Sequence, residues 1–269
     1  VGLDREKLAA ILTNTTVLPA SGSFSVHLFE TIPSTNQMLW QLLEQGAKPG
    51  TVVIANQQTA GRGQWGRQWS SPAGGLYLSV ALAPNLPALQ SYQLTLCSAW
   101  GIAMALRDRG IPVGLKWPND LLLQERKLGG ILTETKVRQG KITRAVVGVG
   151  INWANPVPTT GINLQSFQAE QASSPITCLE MLAAIALWGI AFGYELCSPA
   201  GINILLPSYN KLLTSIGKIV SVNGRSGIVV GINPMGELRV RLAEAAGSNS
   251  SNASEIYLQP GTIRLGYDD

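Results

Sequence analysis

The apolar residues of this chain change their spacing once, near residue 214, and no other feature narrows its possible folds as much. Before that point, helix-period stretches alternate with short apolar runs of strand length. Residues 32–46 put Met38, Leu39, Leu42 and Leu43 on one helical face, with Ser34 placed to cap, Gln37 three residues on as in a capping box, and Gly46 at the end. Residues 51–56 and 76–82 read as buried strands, 94–109 as a long helix stopped by Gly110 and Pro112, and 121–123, 130–135 and 145–151 as further strand-like segments. A helix follows over 177–196, and 209–213 looks like the end of a last short one. Residues 59–71 and the Pro-rich 154–175 read as loops. Beyond 214 only short β-like runs remain, at 218–222, 227–232, 237–242 and 254–265, split by Asn223-Gly224, Asn233-Pro234 and Gly236. That spacing suits a small barrel-like module. The expected organisation is a lead segment 1–24, a mixed body 25–214 and an all-β unit 215–269, with the low-complexity stretch 245–254 at a hairpin tip.

Composition removes several classes. A chain of 269 residues with 45% apolar and 13% charged side chains can bury a core without staples, and its bulk is not disordered. Cys97, Cys178 and Cys197 are odd in number and form no C-x-x-C pair, so neither a disulfide framework nor a zinc site is supported; they read as buried small hydrophobes. The single histidine, His27, rules out multi-histidine metal sites and most histidine-relay hydrolases. The longest apolar run, 181–194, is shorter than the ~20 residues a bilayer span needs and fits a buried helix. No N-terminal stretch reads as a secretory signal, so the expectation is a soluble cytoplasmic protein without membrane attachment. The net charge, 20 − 16 = +4, permits an anionic ligand without requiring nucleic acid.

Four segments can carry chemistry. In Gly61-Arg62-Gly63-Gln64-Trp65-Gly66-Arg67, glycines allow close backbone approach to a ligand, N–H groups can converge on an anion, and two arginines add bidentate donors. The plain alternative is an exposed basic loop. Neither a P-loop nor a dinucleotide fingerprint is present, since no Gly-Lys-Ser/Thr and no helix pattern follow. Lys116-Trp117-Pro118-Asn119-Asp120 reads equally as a β-turn with a core tryptophan, which leaves Lys116 without a role. Arg126-Lys127-Leu128-Gly129-Gly130-Ile131-Leu132 sets a lysine at the mouth of a strand, where it either points into a cleft or is a solvated hairpin charge. Ser34-Thr35-Asn36 opens a helix, where capping and ligand binding are compatible. His27 reads as an ordinary strand residue. Trp65 and Trp69 lie in a loop, where a ring can stack on a flat ligand.

In order, Ser34-Thr35-Asn36, Gln58-Thr59-Ala60-Gly61-Arg62-Gly63, Gly66-Arg67, the Lys116–Asp120 segment, the Arg126–Leu132 segment and Gly148-Val149-Gly150-Ile151-Asn152 together resemble the biotin protein ligases (biotin–acetyl-CoA-carboxylase ligases) over about residues 25–265. The resemblance implies an α+β catalytic domain of the class II synthetase and biotin ligase type, with a mixed, mainly antiparallel sheet, followed by an SH3-like barrel. With residues 1–24 too few for the helix-turn-helix DNA-binding domain of some members, the expectation is the monofunctional form, without DNA as a partner.

The implied reaction has two steps. Biotin and MgATP give biotinyl-5′-AMP and pyrophosphate, and the acyl group then passes to a lysine of the biotin carboxyl carrier protein of acetyl-CoA carboxylase. By resemblance, Lys127 sits beside the carboxylate and α-phosphate. Arg62 and Arg67 hold adenylate and phosphates, Lys116 adds charge, and Asp120 orients it or helps hold Mg²⁺. Ser34, Thr35 and Gln58 bond the ureido head, with Asn36, Gly63, Gln64 and Gly130 also on the biotin side. Trp69 stacks on adenine, with Asn119 and Asn152 as polar contacts. Metal ligands stay unassigned, and family members are monomers or homodimers. Gln64 stands where many bacterial members have an arginine that helps retain the intermediate. Residues 59–70 are expected to be mobile without ligand and ordered around it. The rival assignments are a lipoate ligase or octanoyl transferase of the same fold, and a non-enzymatic nucleic-acid-binding protein.

Overall fold

A computed structural model describes residues 3–13, 24–243, 254–263 and 265. Strands β1 (Ser25–Ile32), β2 (Thr51–Gln58), β3 (Leu76–Leu82), β4 (Leu86–Pro87), β5 (Gly114–Lys116), β6 (Asp120–Leu123), β7 (Arg126–Arg138) and β8 (Lys141–Ile151) form one sheet. Its order is β1-β2-β3-β8-β7-β6-β5, with β4 paired to β8. The β1–β2 pair is parallel, joined through helix α2 (Thr35–Glu44), and the other pairs are antiparallel. This is the mixed, mainly antiparallel α+β architecture expected.

Side-chain alternation along the strands feeds two cores. Val52 and Ile54 of β2, Leu76, Leu78 and Val80 of β3, and Val147, Val149 and Ile151 of β8 enter the main core. Val53, Ala55, Ala81 and Val146 point the other way and meet Leu39 and Leu43 of α2. Both faces of the central strands are therefore covered, which is why their sequence reads as nearly continuous apolar runs. The main core is roofed by α3 (Ser91–Arg107) and α5 (Leu179–Glu195). These helices touch at Gly101 and Gly189, where a Cβ on either would strike the backbone of the other. The apolar run 181–194 is the buried α5, and no helix among the described residues is long and apolar enough to cross a membrane.

Three helices depart from the sequence-based expectations. Helix α1 (Arg5–Thr13), inside the segment 1–24, lays Leu8 into the main core and packs on α5, with the Asp4 N–H donating to Glu180 Oε1 (3.0 Å). Helix α4 (Leu164–Ala169) interrupts the presumed loop 154–175, capped by Asn163. Helix α6 (Pro199–Leu212) begins ten residues before the segment 209–213, with Ser198 as its cap and Pro199 in its first turn, a start signal weakened by the internal Pro207. Ser34 is the N-terminal flank of α2, but its side chain makes no capping bond; Gln58 Oε1, reaching across from β2, accepts from the Thr35 N–H (2.8 Å) instead. Gly46 ends that helix at φ +99°, as expected.

After α6, strands β9 (Ile219–Val222), β10 (Arg225–Ile232), β11 (Leu238–Leu242) and β12 (Glu255–Leu258) make an antiparallel sheet in the order β12-β11-β10-β9, in keeping with a small SH3-like module. Residues 245–253 of the low-complexity stretch lie outside the described residues. The second sheet shares the main core through Val222, Val229, Leu238 and Val240.

Candidate active site

The cavity lies on the α2 side of the large sheet, where the sequence puts small residues. Cross-strand rows Ser79–Gly148–Leu132 and Tyr77–Gly150–Gly130 run across β3, β8 and β7. A Cβ on Gly148 would collide with the Asn36 side-chain oxygen, and one on Gly150 with the Trp69 indole nitrogen. The Gly148-Val149-Gly150 spacing thus opens the floor while Val149 stays in the core.

A loop over residues 59–75 forms one wall. It is more regular than an aperiodic sequence suggests. The Gly63 N–H donates to Arg67 O (2.7 Å), Trp69 N–H to Gly61 O (2.9 Å), and residues 64–66 make one tight turn with Trp65 at φ 54°. Its base is tied to the sheet: Gln58 Nε2 donates to Ser71 Oγ (2.8 Å), and the Tyr77 hydroxyl donates to Pro72 O (2.7 Å). Burial pushes the Tyr77 pKa far above its ordinary value, so the hydroxyl keeps its proton as a donor.

The hairpin β5–β6 forms the opposite wall. Lys116-Trp117-Pro118-Asn119-Asp120 is both turn and lining: Trp117 is buried, the Trp117–Pro118 bond is cis, and all five residues border the cavity. Asn119 extends the ladder to β7, donating through Nδ2 to Ile131 O (2.8 Å). Asp120 is the cross-strand neighbour of Lys116 and ion-pairs with Lys127 Nζ at 2.7 Å. Lys116 is only 7% exposed, so its charge belongs to the cavity and not to solvent.

Of the expected residues, Ser34, Thr35, Asn36, Gln58, Arg62, Gly63, Gln64, Arg67, Trp69, Lys116, Asn119, Asp120, Lys127 and Gly130 border this one cavity of about 170 Å³. Asn152 does not. Its Nδ2 donates to Lys127 O (3.2 Å) and its Oδ1 accepts from Asn155 (3.0 Å), so it supports the Lys127 backbone from behind. Trp69 was expected to offer a ring to adenine. Instead the Lys127 ammonium sits 5.2 Å from its ring centroid, and a base stacking on that face would have to displace it. Asn36 is already engaged, accepting from Ser79 (2.6 Å) and donating to Glu134 (3.1 Å), so it shapes the pocket. The Thr35 hydroxyl donates to Gln58 Oε1 and accepts from Ser79 Oγ, which presets a polar floor.

Sequence reasoning missed Leu132, Ile263 and Leu265 as lining residues. The last two come from beyond β12, and nothing local in the chain signals their approach. Near them Gly261 closely approaches the Trp65 indole, and the Arg67 guanidinium sits 5.6 Å from the centroid of the same ring.

Residues 28–152 match the biotin/lipoate A/B protein ligase family. The bifunctional ligase/repressor BirA of Escherichia coli is 34% identical over 220 residues, 80% of this chain and 68% of that protein. The protein of the same name from Bacillus subtilis is 37% identical over 125 residues, 46% of this chain, and the match spans only 38% of its length. Among solved structures, a biotin protein ligase from Aquifex aeolicus in complex with biotin and ATP superposes with a TM-score of 0.68 at 24% identity, over 91% of this chain and 99% of that one. Fold and motifs together are those of a mixed-sheet domain of the biotin and lipoate ligase type. The chain belongs to the biotin/lipoate A/B protein ligase family.

Proposed function

We propose that this chain is a biotin protein ligase. It joins biotin to ATP as biotinyl-5′-adenylate with release of pyrophosphate, then passes the biotinyl group to one lysine of the biotin carboxyl carrier protein of acetyl-CoA carboxylase. The observation that carries this is the convergence of Arg62, Arg67, Lys116 and Lys127, from three separate parts of the chain, around a preset hydroxyl–amide floor.

In the first step a carboxylate oxygen attacks the α-phosphorus, and the bridging P–O bond to pyrophosphate breaks. Two anions approach while charge grows on the leaving group, so fixed cations lower the barrier. Lys127 takes the central place, its backbone bonded to Thr160 and Ile162 and its ammonium held by Asp120. Arg62 and Arg67 hold the adenylate and departing phosphates, and Lys116 adds charge. Ser34, Thr35 and Gln58 face the ureido head, with Gly63, Gln64 and Gly130 beside it. In the second step the carrier lysine's neutral amine attacks the acyl carbon and AMP leaves.

Among the described residues no three His, Cys, Asp or Glu side chains gather as a metal cage. Asp120 is the cavity carboxylate that could meet Mg²⁺ carried in on the nucleotide. Bound there, the ion supplies positive charge to the phosphates. We place the catalytic unit at residues 25–214 and the β unit at 215–269, acting in the cytoplasm as a monomer or homodimer. Exchange of labelled pyrophosphate into ATP tests the reading. It is expected only with biotin present; exchange without biotin, or driven by lipoate in its place, overturns it.

A further inference from the structure

Glu134 is a charged residue on the sheet that the proposed chemistry does not use. It lies on β7 beside Val146 of β8, on the face covered by α2. Its carboxylate is held from two directions. From α2, Asn36 Nδ2 (3.1 Å) and Trp40 Nε1 (3.0 Å) both donate to Oε2. From the glycine loop, the Arg62 guanidinium meets both oxygens, Nη1 at 3.1 Å from Oε1 and Nη2 at 3.2 Å from Oε2. The side chain is 28% exposed, buried enough to need these partners and open enough for Arg62 to reach it.

The two sets of donors differ in kind. Asn36 and Trp40 belong to a helix seated on its own apolar core, so they fix the carboxylate whatever the loop does. Arg62 rides on residues 59–75, which are tied to the sheet at the loop's base and through the Trp69 ring over Gly150. A fixed, twofold acceptor meeting a cation on a loop with its own hairpin geometry is an anchor point, and a forked guanidinium–carboxylate pair also sets orientation.

We propose that Glu134 is a positioning residue: by anchoring Arg62 it holds the glycine loop closed over the cavity and so sets how long a bound adenylate is retained. This rests on the adenylate-forming reading above. Through the pair, Arg62 presents its remaining N–H groups to the cavity it lines. Asn36 and Trp40 act one step further back, by aiming the carboxylate.

The test uses the full chain as wild type, Glu134→Gln, Glu134→Asp and Trp40→Phe. Two readouts are taken: release of adenylate after a single turnover, and hydrogen-exchange protection of amides 59–71 with and without biotin and ATP. With the anchor in place, Glu134→Gln releases adenylate faster by roughly three- to fivefold, the upper end of what one partly exposed charged pair supplies. It also loses loop protection, while biotin-dependent pyrophosphate exchange at saturating substrate stays within about twofold. Glu134→Asp recovers part of the retention, and Trp40→Phe shifts both readouts less but in the same direction. Unchanged release and protection in Glu134→Gln overturn the inference. So does a fall in exchange that follows the thermal midpoint with no rise in release, which is the signature of a merely structural residue. Should Glu134→Gln fail to fold, Trp40→Phe decides by the same criteria. A wild-type chain without biotin-dependent exchange defeats the functional reading instead, and ligand-free loop protection still tests the anchor on its own.

Discussion

Lys127 is gripped at both ends, by Asp120 at its ammonium and by Thr160, Ile162 and Asn152 at its backbone. Such a side chain costs little to reorganise when charge develops near it, which is where electrostatic stabilisation is largest. Lys127→Ala is therefore expected to slow adenylation by about 10²-fold or more, read as biotin-dependent pyrophosphate release; near-wild-type release would refute the assignment. Gln64 presents a different case. Its Oε1 is buried in the cavity wall with no hydrogen-bond partner among the described residues. Gln64→Arg adds a cation beside Arg62 and Arg67, and slower escape of the adenylate into solution is expected. An unchanged escape rate would mean that the loop's two arginines and backbone N–H groups already suffice. The site residues legible in the sequence were those whose chemistry is local: the glycine spacing, the Lys-Trp-Pro-Asn-Asp turn and the lysine before Gly129-Gly130. The bond from Asn152 to the Lys127 backbone was not legible, because an amide in a motif can serve a neighbour's backbone as readily as a ligand. Glu134 went unnoticed because a lone acidic residue on a strand carries no signal until Asn36, Trp40 and Arg62 are seen around it.

At the scale of elements, α1 is the piece furthest from expectation, and its attachment is partly ionic. Lys7 Nζ lies 3.3 Å from Glu180 Oε2, and the Asp4 N–H donates to the same carboxylate. Burial pushes the Glu180 pKa up, but the Asp4 and Glu180 backbone N–H groups, Cys178 and Lys7 outweigh it, and the net shift is downward from 4.5. A carboxyl with a lowered folded-state pKa stabilises the fold above its unfolded value, and that contribution is lost as pH falls through the folded value. Wild type is thus expected to exceed Glu180→Gln by roughly 1 kcal/mol in urea unfolding at neutral pH, with the gap closing as the pH falls below the ordinary carboxyl value of 4.5 and through the lowered folded-state value. A gap independent of pH would show that packing of Leu8, not charge, holds α1. The element was passed over in sequence because its apolar stripe, Leu8, Ile11 and Leu12, is only about one turn long. By contrast α2, α3 and α5 and the central strands were legible, since each buries several residues at its own period. Helix α6 was foreshortened because Pro207 masks a pattern that tertiary contacts through Ile202, Leu205 and Tyr209 sustain.

For the molecule as a whole, the join between the two sheets decides whether the chain unfolds in one step. Leu115 and Trp117 of the β5–β6 hairpin share a core with Leu238 and Val240 of β11. The Trp117 indole N–H donates to Gly236 O (2.8 Å), Gln93 Nε2 to Pro234 O (2.9 Å) and the Ile232 N–H to Asn210 Oδ1 (3.1 Å). These bonds run from the end of β10 and the turn after it to α3, α6 and the hairpin that carries Lys116 and Asp120. Shared apolar burial with satisfied polar groups is how a domain core behaves, so one cooperative transition is expected in calorimetry or urea. Two resolved transitions would show that the sheets are separable. Trp117→Phe removes this bond, leaves the Gly236 carbonyl without its donor and trims the buried ring. That change should cost about 1–3 kcal/mol. It should also weaken nucleotide binding more than biotin binding, since the loosened hairpin carries Lys116, Asn119 and Asp120 while Ser34, Thr35 and Gln58 stand on α2 and β2. Equal losses for both ligands in titration calorimetry would place the effect in global stability rather than in the hairpin.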